Sequence, residues 1–83
     1  MSRTTAKGLA LNFEQEIPSG TVNGSNTAFT LSQTPYSAKA VILFVDAVPQ
    51  VYTTNFTVSG TTITMVTAPA AGQTVYAWYL RKT

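Results

Sequence analysis

Cysteine and histidine are both absent from this chain of 83 residues. Without cysteine no disulfide can cross-link the fold, although disulfides stabilise many domains of this size. The thiolate and imidazole ligands that dominate zinc and other transition-metal sites are missing as well. We therefore expect no metal and no cofactor, and stability must come from packing within the domain or from contacts with partners.

Charge is also scarce, because charged residues make up 10% of the chain, against about 25% in an ordinary soluble domain. The net charge is +2, and residues 47–80 hold no charged side chain at all. A monomer normally covers its surface with charge, so we expect part of this surface to be covered by other subunits. Nucleic acid is a disfavoured partner, because the five cations do not form one basic cluster.

Long apolar runs are missing too. The longest covers residues 40–45, which is far shorter than a membrane span. The first eleven residues contain Arg3 and Lys7 but no apolar core of the kind found in a secretory signal. We therefore expect neither membrane insertion nor secretion through a signal peptide.

Apolar side chains alternate with polar ones in short segments, separated by turn signals such as Asn23-Gly24, Asp46 to Pro49 and Ser59-Gly60. No segment has the period of a helix. This pattern predicts an all-β fold, a small antiparallel β-sandwich or barrel. Residues 17–83 are expected to form this module, and residues 1–16 an extended N-terminal arm or the first strand.

Two segments suggest contacts with a partner. The predicted last strand has Val75, Ala77 and Tyr79 on one face and apolar residues on the other, so it is buried on both sides or meets a partner on one. The N-terminal segment alternates in the same way and is suited to add as a strand to the sheet edge of another chain. The predicted interface residues are Leu9, Leu11, Phe13, Tyr76, Trp78 and Leu80.

Candidates for catalysis are few, since the only carboxylates are Glu14, Glu16 and Asp46. Glu14 and Glu16 are two residues apart and share one face of a strand, a spacing that resembles a catalytic carboxylate pair or an oxygen-rich cation site. A solvated strand face, or a charged edge that prevents aggregation, explains the spacing more simply. The many hydroxyl groups lack an adjacent base. We therefore expect no catalytic residues and no enzyme activity.

The aromatic residues near the end of the chain leave a second interpretation open. Tyr76, Trp78 and Tyr79 precede two cations, Arg81 and Lys82. Aromatic faces with nearby cations can stack against sugars or single-stranded nucleic acid. A small binding module for host glycans or nucleic acid is therefore the alternative to a subunit interface.

Four segments together resemble a known family. Residues 22–31, 45–50, 56–64 and 68–75 look like the small β-modules of tailed-bacteriophage virion proteins, especially the virion-docking N-terminal domain of podovirus-type tail fibres. The likeness covers about residues 20–80 and depends on the order and spacing of the turns. Ala47 departs from the pattern, because such modules usually have glycine there.

The resemblance implies a non-catalytic virion protein that docks on the particle as a homo-oligomer, as a tail, fibre-adaptor or capsid-decoration component. Its partners would be copies of itself, a trimer by analogy with phage appendages, and other virion proteins. It would be made in the host cytoplasm and reside in the virion. No membrane and no cofactor is implied.

Overall fold

Two antiparallel sheets form the fold in the computed structural model, which describes residues 12–82. The strands are β1 Phe13–Glu16, β2 Ala28–Thr30, β3 Val41–Val45, β4 Val48–Pro49, β5 Phe56–Ser59, β6 Thr62–Met65 and β7 Val75–Leu80. One sheet has the order β1-β7-β3-β4 and the other β2-β6-β5. Within residues 12–82 the only helical element is a 3-10 turn at Ala38–Ala40, and no helix is long and apolar enough to cross a membrane. The predicted all-β fold is confirmed.

The core lies between the two sheets and follows from the alternation of side chains along the strands. From the four-stranded sheet β3 and β7 contribute their inward residues, and from the three-stranded sheet β2, β5 and β6 do the same. Each core side chain keeps at most 5% of its surface exposed. The core residues are Phe29, Leu31, Val41, Leu43, Phe56, Ile63, Met65, Val75, Ala77 and Tyr79.

The tight turns lie where the sequence predicts them. Asp46 and Ala47 connect β3 to β4 with φ angles of 51° and 68°, the left-handed pair that matches the twist of a two-residue hairpin. Gly60 has a φ of 60° in the hairpin between β5 and β6. The turn at Asn23 is also present, since its Oδ1 accepts the N–H groups of Ser25 and Asn26, each at 2.9 Å.

Residues 13–16 belong to the sheet of the module itself. β1 pairs with β7 along its whole length, with Phe13 opposite Leu80 and Glu16 opposite Ala77. The sequence predicts an arm or the first strand for residues 1–16, and the last four of them form the first strand. The rest of the expected arm, including Leu9 and Leu11, lies outside the described residues.

Replacing Ala47 with glycine should stabilise the module. A left-handed φ costs an L-residue with a Cβ about 1–2 kcal/mol, and glycine avoids this cost. Part of the benefit is lost, because glycine makes the unfolded chain more flexible. We expect Ala47→Gly to raise the free energy of unfolding by roughly 0.5–1 kcal/mol, measured by urea denaturation.

The matched control is Ala28→Gly, in the exposed first position of β2. It should lower the free energy of unfolding, because glycine weakens a strand and gains nothing there. A loss of stability in Ala47→Gly as large as that of the control would show that the turn gains nothing from a glycine.

Candidate interaction surface

The four-stranded sheet has a second face, directed away from the core and almost entirely apolar. Residues directly opposite each other on paired strands share a face. Trp78 lies opposite both Gln15 and Ile42, and the same pairing sets the other positions. The seven apolar residues of this surface, which we call the outer apolar face, are Phe13, Ile42, Phe44, Pro49, Tyr76, Trp78 and Leu80.

Trp78 is the central side chain of the outer apolar face. It is 42% exposed, beside Phe13 at 67% and Ile42 at 50%. Its ring contacts that of Phe44 edge to face, with ring centres 6.1 Å apart and planes at 65°. Shallow clefts of about 330 Å³ and 250 Å³ flank Trp78, one toward Phe44 and the other toward Phe13. Large rigid side chains beside shallow clefts are typical of protein contact surfaces.

The outward face of the three-stranded sheet has a different chemistry. Its exposed strand residues are Ala28, Thr30, Thr57, Ser59, Thr62 and Thr64. Five of these six carry a hydroxyl group that can hydrogen-bond to water. The sandwich therefore has one outer face suited to solvent and one that leaves aromatic and aliphatic surface uncovered.

Four of the six predicted interface residues lie together on the outer apolar face: Phe13, Tyr76, Trp78 and Leu80. Leu9 and Leu11 lie outside the described residues. Ile42 and Phe44, which lie opposite Trp78 and Tyr76, belong to this face but are not among the predicted interface residues. The signal was present, because residues 40–45 are apolar at every position and only one face of a strand can point into this core.

The two neighbouring glutamates share a face on β1, an edge strand as one of the two expectations had it, and this face is turned toward the inward side. Glu14 and Glu16 lie opposite Tyr79 and Ala77, on the inward side of the sheet, and both are half-buried. Glu14 pairs with Arg81, with 3.5 Å between Oε2 and Nη1. Glu16 accepts hydrogen bonds from the hydroxyl of Tyr79 and from Ser32. Both side chains are held by these internal contacts.

A small polar network surrounds the Glu16 carboxylate at the edge of the core. The N–H and the hydroxyl of Ser32 each donate to Oε2 at 3.1 Å. The Tyr79 oxygen also accepts the N–H of Gln33 at 3.2 Å. These bonds attach the loop that follows β2 to strands β1 and β7 and so connect the two sheets at the edge of the core.

The third carboxylate also has an internal partner. Asp46 accepts the N–H of Thr74 at 2.8 Å and the amide of Gln73 at 3.3 Å, and so joins the hairpin between β3 and β4 to the start of β7. A cavity of about 420 Å³ lies beside it, lined mainly by side chains from this hairpin and from the loop before β7. Among residues 12–82, no group of three or more acidic side chains is placed to hold a metal ion.

Comparison with protein-family models, with curated proteins and with solved structures finds no match for this chain.

The Tyr79 hydroxyl makes the stability of the fold depend on pH. Burial raises the pKa of its hydroxyl above the usual value, and the hydrogen bond to Glu16 raises it further. The folded state therefore holds the Tyr79 proton more tightly than the unfolded state. The resulting stability is fully present below about pH 10, the unfolded pKa of tyrosine, and is lost as pH rises through the higher folded pKa.

Tyr79→Phe should lower the free energy of unfolding at neutral pH by roughly 1–3 kcal/mol, because Glu16 and Gln33 each lose a partner. It should also reduce the loss of stability above about pH 10, since the titrating group is gone. Urea denaturation between pH 7 and the alkaline limit of folding measures both effects.

Tyr36→Phe is the control, since Tyr36 is 67% exposed. It should change stability by less than about 0.5 kcal/mol. An equal effect of the two substitutions at neutral pH would contradict a structural role for the Tyr79 hydroxyl.

Proposed function

We propose that this chain is a non-catalytic structural protein of a tailed-bacteriophage virion that docks on the particle as a homo-oligomer. The observation that supports the proposal best is the outer apolar face, where six other apolar residues surround Trp78 and none of the seven is charged. A lone small domain in water gains nothing from leaving such a surface uncovered. A subunit held in an assembly gains the free energy of burying it.

The outer apolar face is too small to hold a stable pairwise interface on its own. Four strands about 4.8 Å apart, with about five residues of 3.3 Å each, give a surface of roughly 14 by 17 Å. This is smaller than the ~800 Å² per partner of a stable pairwise interface. Docking on the particle must therefore use further contacts, which fits a subunit that touches both its own copies and other virion proteins.

The order of turns and strands supports the choice of a virion protein. The segments that resemble phage β-modules form the Asn23 turn, the β3–β4 hairpin, the β5–β6 hairpin and the loop before β7. Ala47, where these modules usually have glycine, has a left-handed φ of 68°. The departure from the pattern thus lies where the fold itself favours glycine. By the same analogy, we propose a threefold assembly in the tail, fibre adaptor or capsid decoration.

The alternative of a glycan or nucleic-acid module has less support. It requires aromatic residues and cations on one surface, but Tyr79 is buried in the core. Arg81 pairs with Glu14, which lies on the inward side of the sheet. Trp78 and Tyr76 therefore stand on the outer apolar face without a cation between them, and this surface suits a protein partner better than a phosphate backbone.

The proposal is tested on purified particles of the phage whose genome encodes the chain. Mass spectrometry should detect the protein in stoichiometric amounts, and it should remain on the particles from low to near-molar sodium chloride. The reason is that apolar contacts depend weakly on salt, whereas contacts with phosphates weaken steeply as salt rises. Absence from particles, or release at moderate salt, would contradict the proposal and favour an electrostatic partner such as DNA.

Trp78→Ala should weaken attachment to the particle or to the other subunits. Removing a central aromatic anchor costs on the order of 2 kcal/mol or more, which is about a 30-fold loss of affinity. Binding of purified variants to particles that lack the protein measures the effect.

Lys82→Ala is the matched control, because Lys82 is exposed and follows the same strand. Its effect should stay below about twofold. Normal attachment of Trp78→Ala together with loss in Lys82→Ala would show that charge, not the outer apolar face, holds the protein.

A further inference from the structure

We propose that the outer edge of β1, which pairs with no residue among 12–82, binds the N-terminal segment, residues 1–11, of a second copy of this chain as an added strand. This inference rests on the homo-oligomer of the proposed function and identifies how one subunit recognises the next. Strand addition gives affinity through backbone hydrogen bonds and selectivity through alternate side chains.

The backbone of β1 has an unused side. Arg81 donates its N–H to the carbonyl of Asn12 at 2.7 Å, which fixes the residues whose backbone groups point toward β7. In an antiparallel pair these alternate, so Asn12, Glu14 and Glu16 bond to β7. Phe13 and Gln15 direct their N–H and C=O groups away from it, and no residue among 12–82 pairs with them.

The other edges of the two sheets are less accessible. β4 is two residues long and ends in Pro49, which has no N–H. β2 exchanges two backbone hydrogen bonds with Ser19, each of 2.8 Å. β5 uses the carbonyl of Phe56 to accept the N–H of Thr53. Among the described strands, β1 therefore offers the most complete open edge.

Like charges argue against a second β1 at this edge. Glu14 and Glu16 lie along β1, and like charges on neighbouring strands are destabilising. A second β1 would bring the same two carboxylates to this edge. Residues 1–11 contain no carboxylate, so a strand from this segment brings no like charge to the edge.

The apolar pattern of the segment fits the same edge. Leu9 and Leu11 alternate with smaller residues, so one face of an added strand would carry leucines. Placed beside Phe13, that face would continue the outer apolar face by one strand. Each copy would donate its segment to one neighbour and accept a segment from another. Such head-to-tail contacts can close into a ring, as the proposed threefold assembly requires.

A pair of substitutions at Gln15 tests the edge. Gln15→Pro removes the outward N–H and leaves the hydrogen bonds of β1 to β7 intact, because that N–H points away from β7. Gln15→Ala loses the same side chain, including its hydrogen bond from the Tyr76 hydroxyl, but keeps the N–H. The difference between the two variants therefore reports the backbone edge alone.

Sedimentation velocity of the full chain and its variants over micromolar concentrations gives the result. The full chain should self-associate, and Gln15→Pro should dissociate at least about tenfold more readily than Gln15→Ala. Deleting residues 1–10 should abolish association while circular dichroism and the urea midpoint stay unchanged. Equal association of the two Gln15 variants, or a full chain that is monomeric at high micromolar concentration, would overturn the inference.

Hydrogen exchange separates addition to a neighbour from folding back in the same chain. A monomer whose Gln15 amide is protected only when residues 1–10 are present would show that the segment pairs within its own chain, and would also overturn the inference. None of these outcomes depends on the particle. Failure of the strand exchange is therefore distinct from failure of the proposed function, which is measured as presence of the unmodified chain on particles.

Discussion

The fold depends on one strand that is apolar on both sides. β7 lies between β1 and β3, and its inward residues Val75, Ala77 and Tyr79 are among the most buried in the chain. A two-sheet sandwich can cover only one face of each sheet. The other face of β7, with Trp78 at its centre, is therefore left outside the core. The closed core and the uncovered outer apolar face are thus two consequences of the same six residues.

Much of this arrangement could be predicted from the sequence because it depends on local periodicity. The alternation of Ile63 and Met65 with threonines indicates which side of β6 is buried, and the turn at Asp46-Ala47 indicates where β3 reverses. The identity of the face formed by Tyr76, Trp78 and Leu80 also follows from a period of two. These features need no knowledge of which strands are neighbours.

Other features could not be predicted because they depend on pairing between distant segments. Ile42 and Phe44 join the outer apolar face only because β3 lies beside β7. Glu14 and Glu16 suggest a solvated face when they are read alone, yet the pairing of β1 with β7 turns them inward. Their partners Arg81, Tyr79 and Ser32 are 16 to 67 positions away in the chain, beyond the range of any local pattern. Arg81 follows the aromatic residues in sequence, but its ion pair with Glu14 holds it toward the inward side of the sheet, away from Trp78.

Internal use of the carboxylates also bears on function. Each of the three has a partner within the module, and these contacts hold loops and strands together at the margins of the sandwich. The polar groups stabilise the domain, and the surface that remains for a partner is apolar. The proposed docking would therefore use shape and apolar contact, with little contribution from charge.

The central claim is that an assembly covers the outer apolar face. Hydroxyl-radical footprinting with mass spectrometry tests it at Trp78, the only tryptophan of the chain, with Val66 as an exposed reference outside that face. The account predicts that oxidation of Trp78, relative to that of Val66, is several-fold lower in the assembly than in the isolated chain. Equal oxidation of Trp78 in the two states would contradict it.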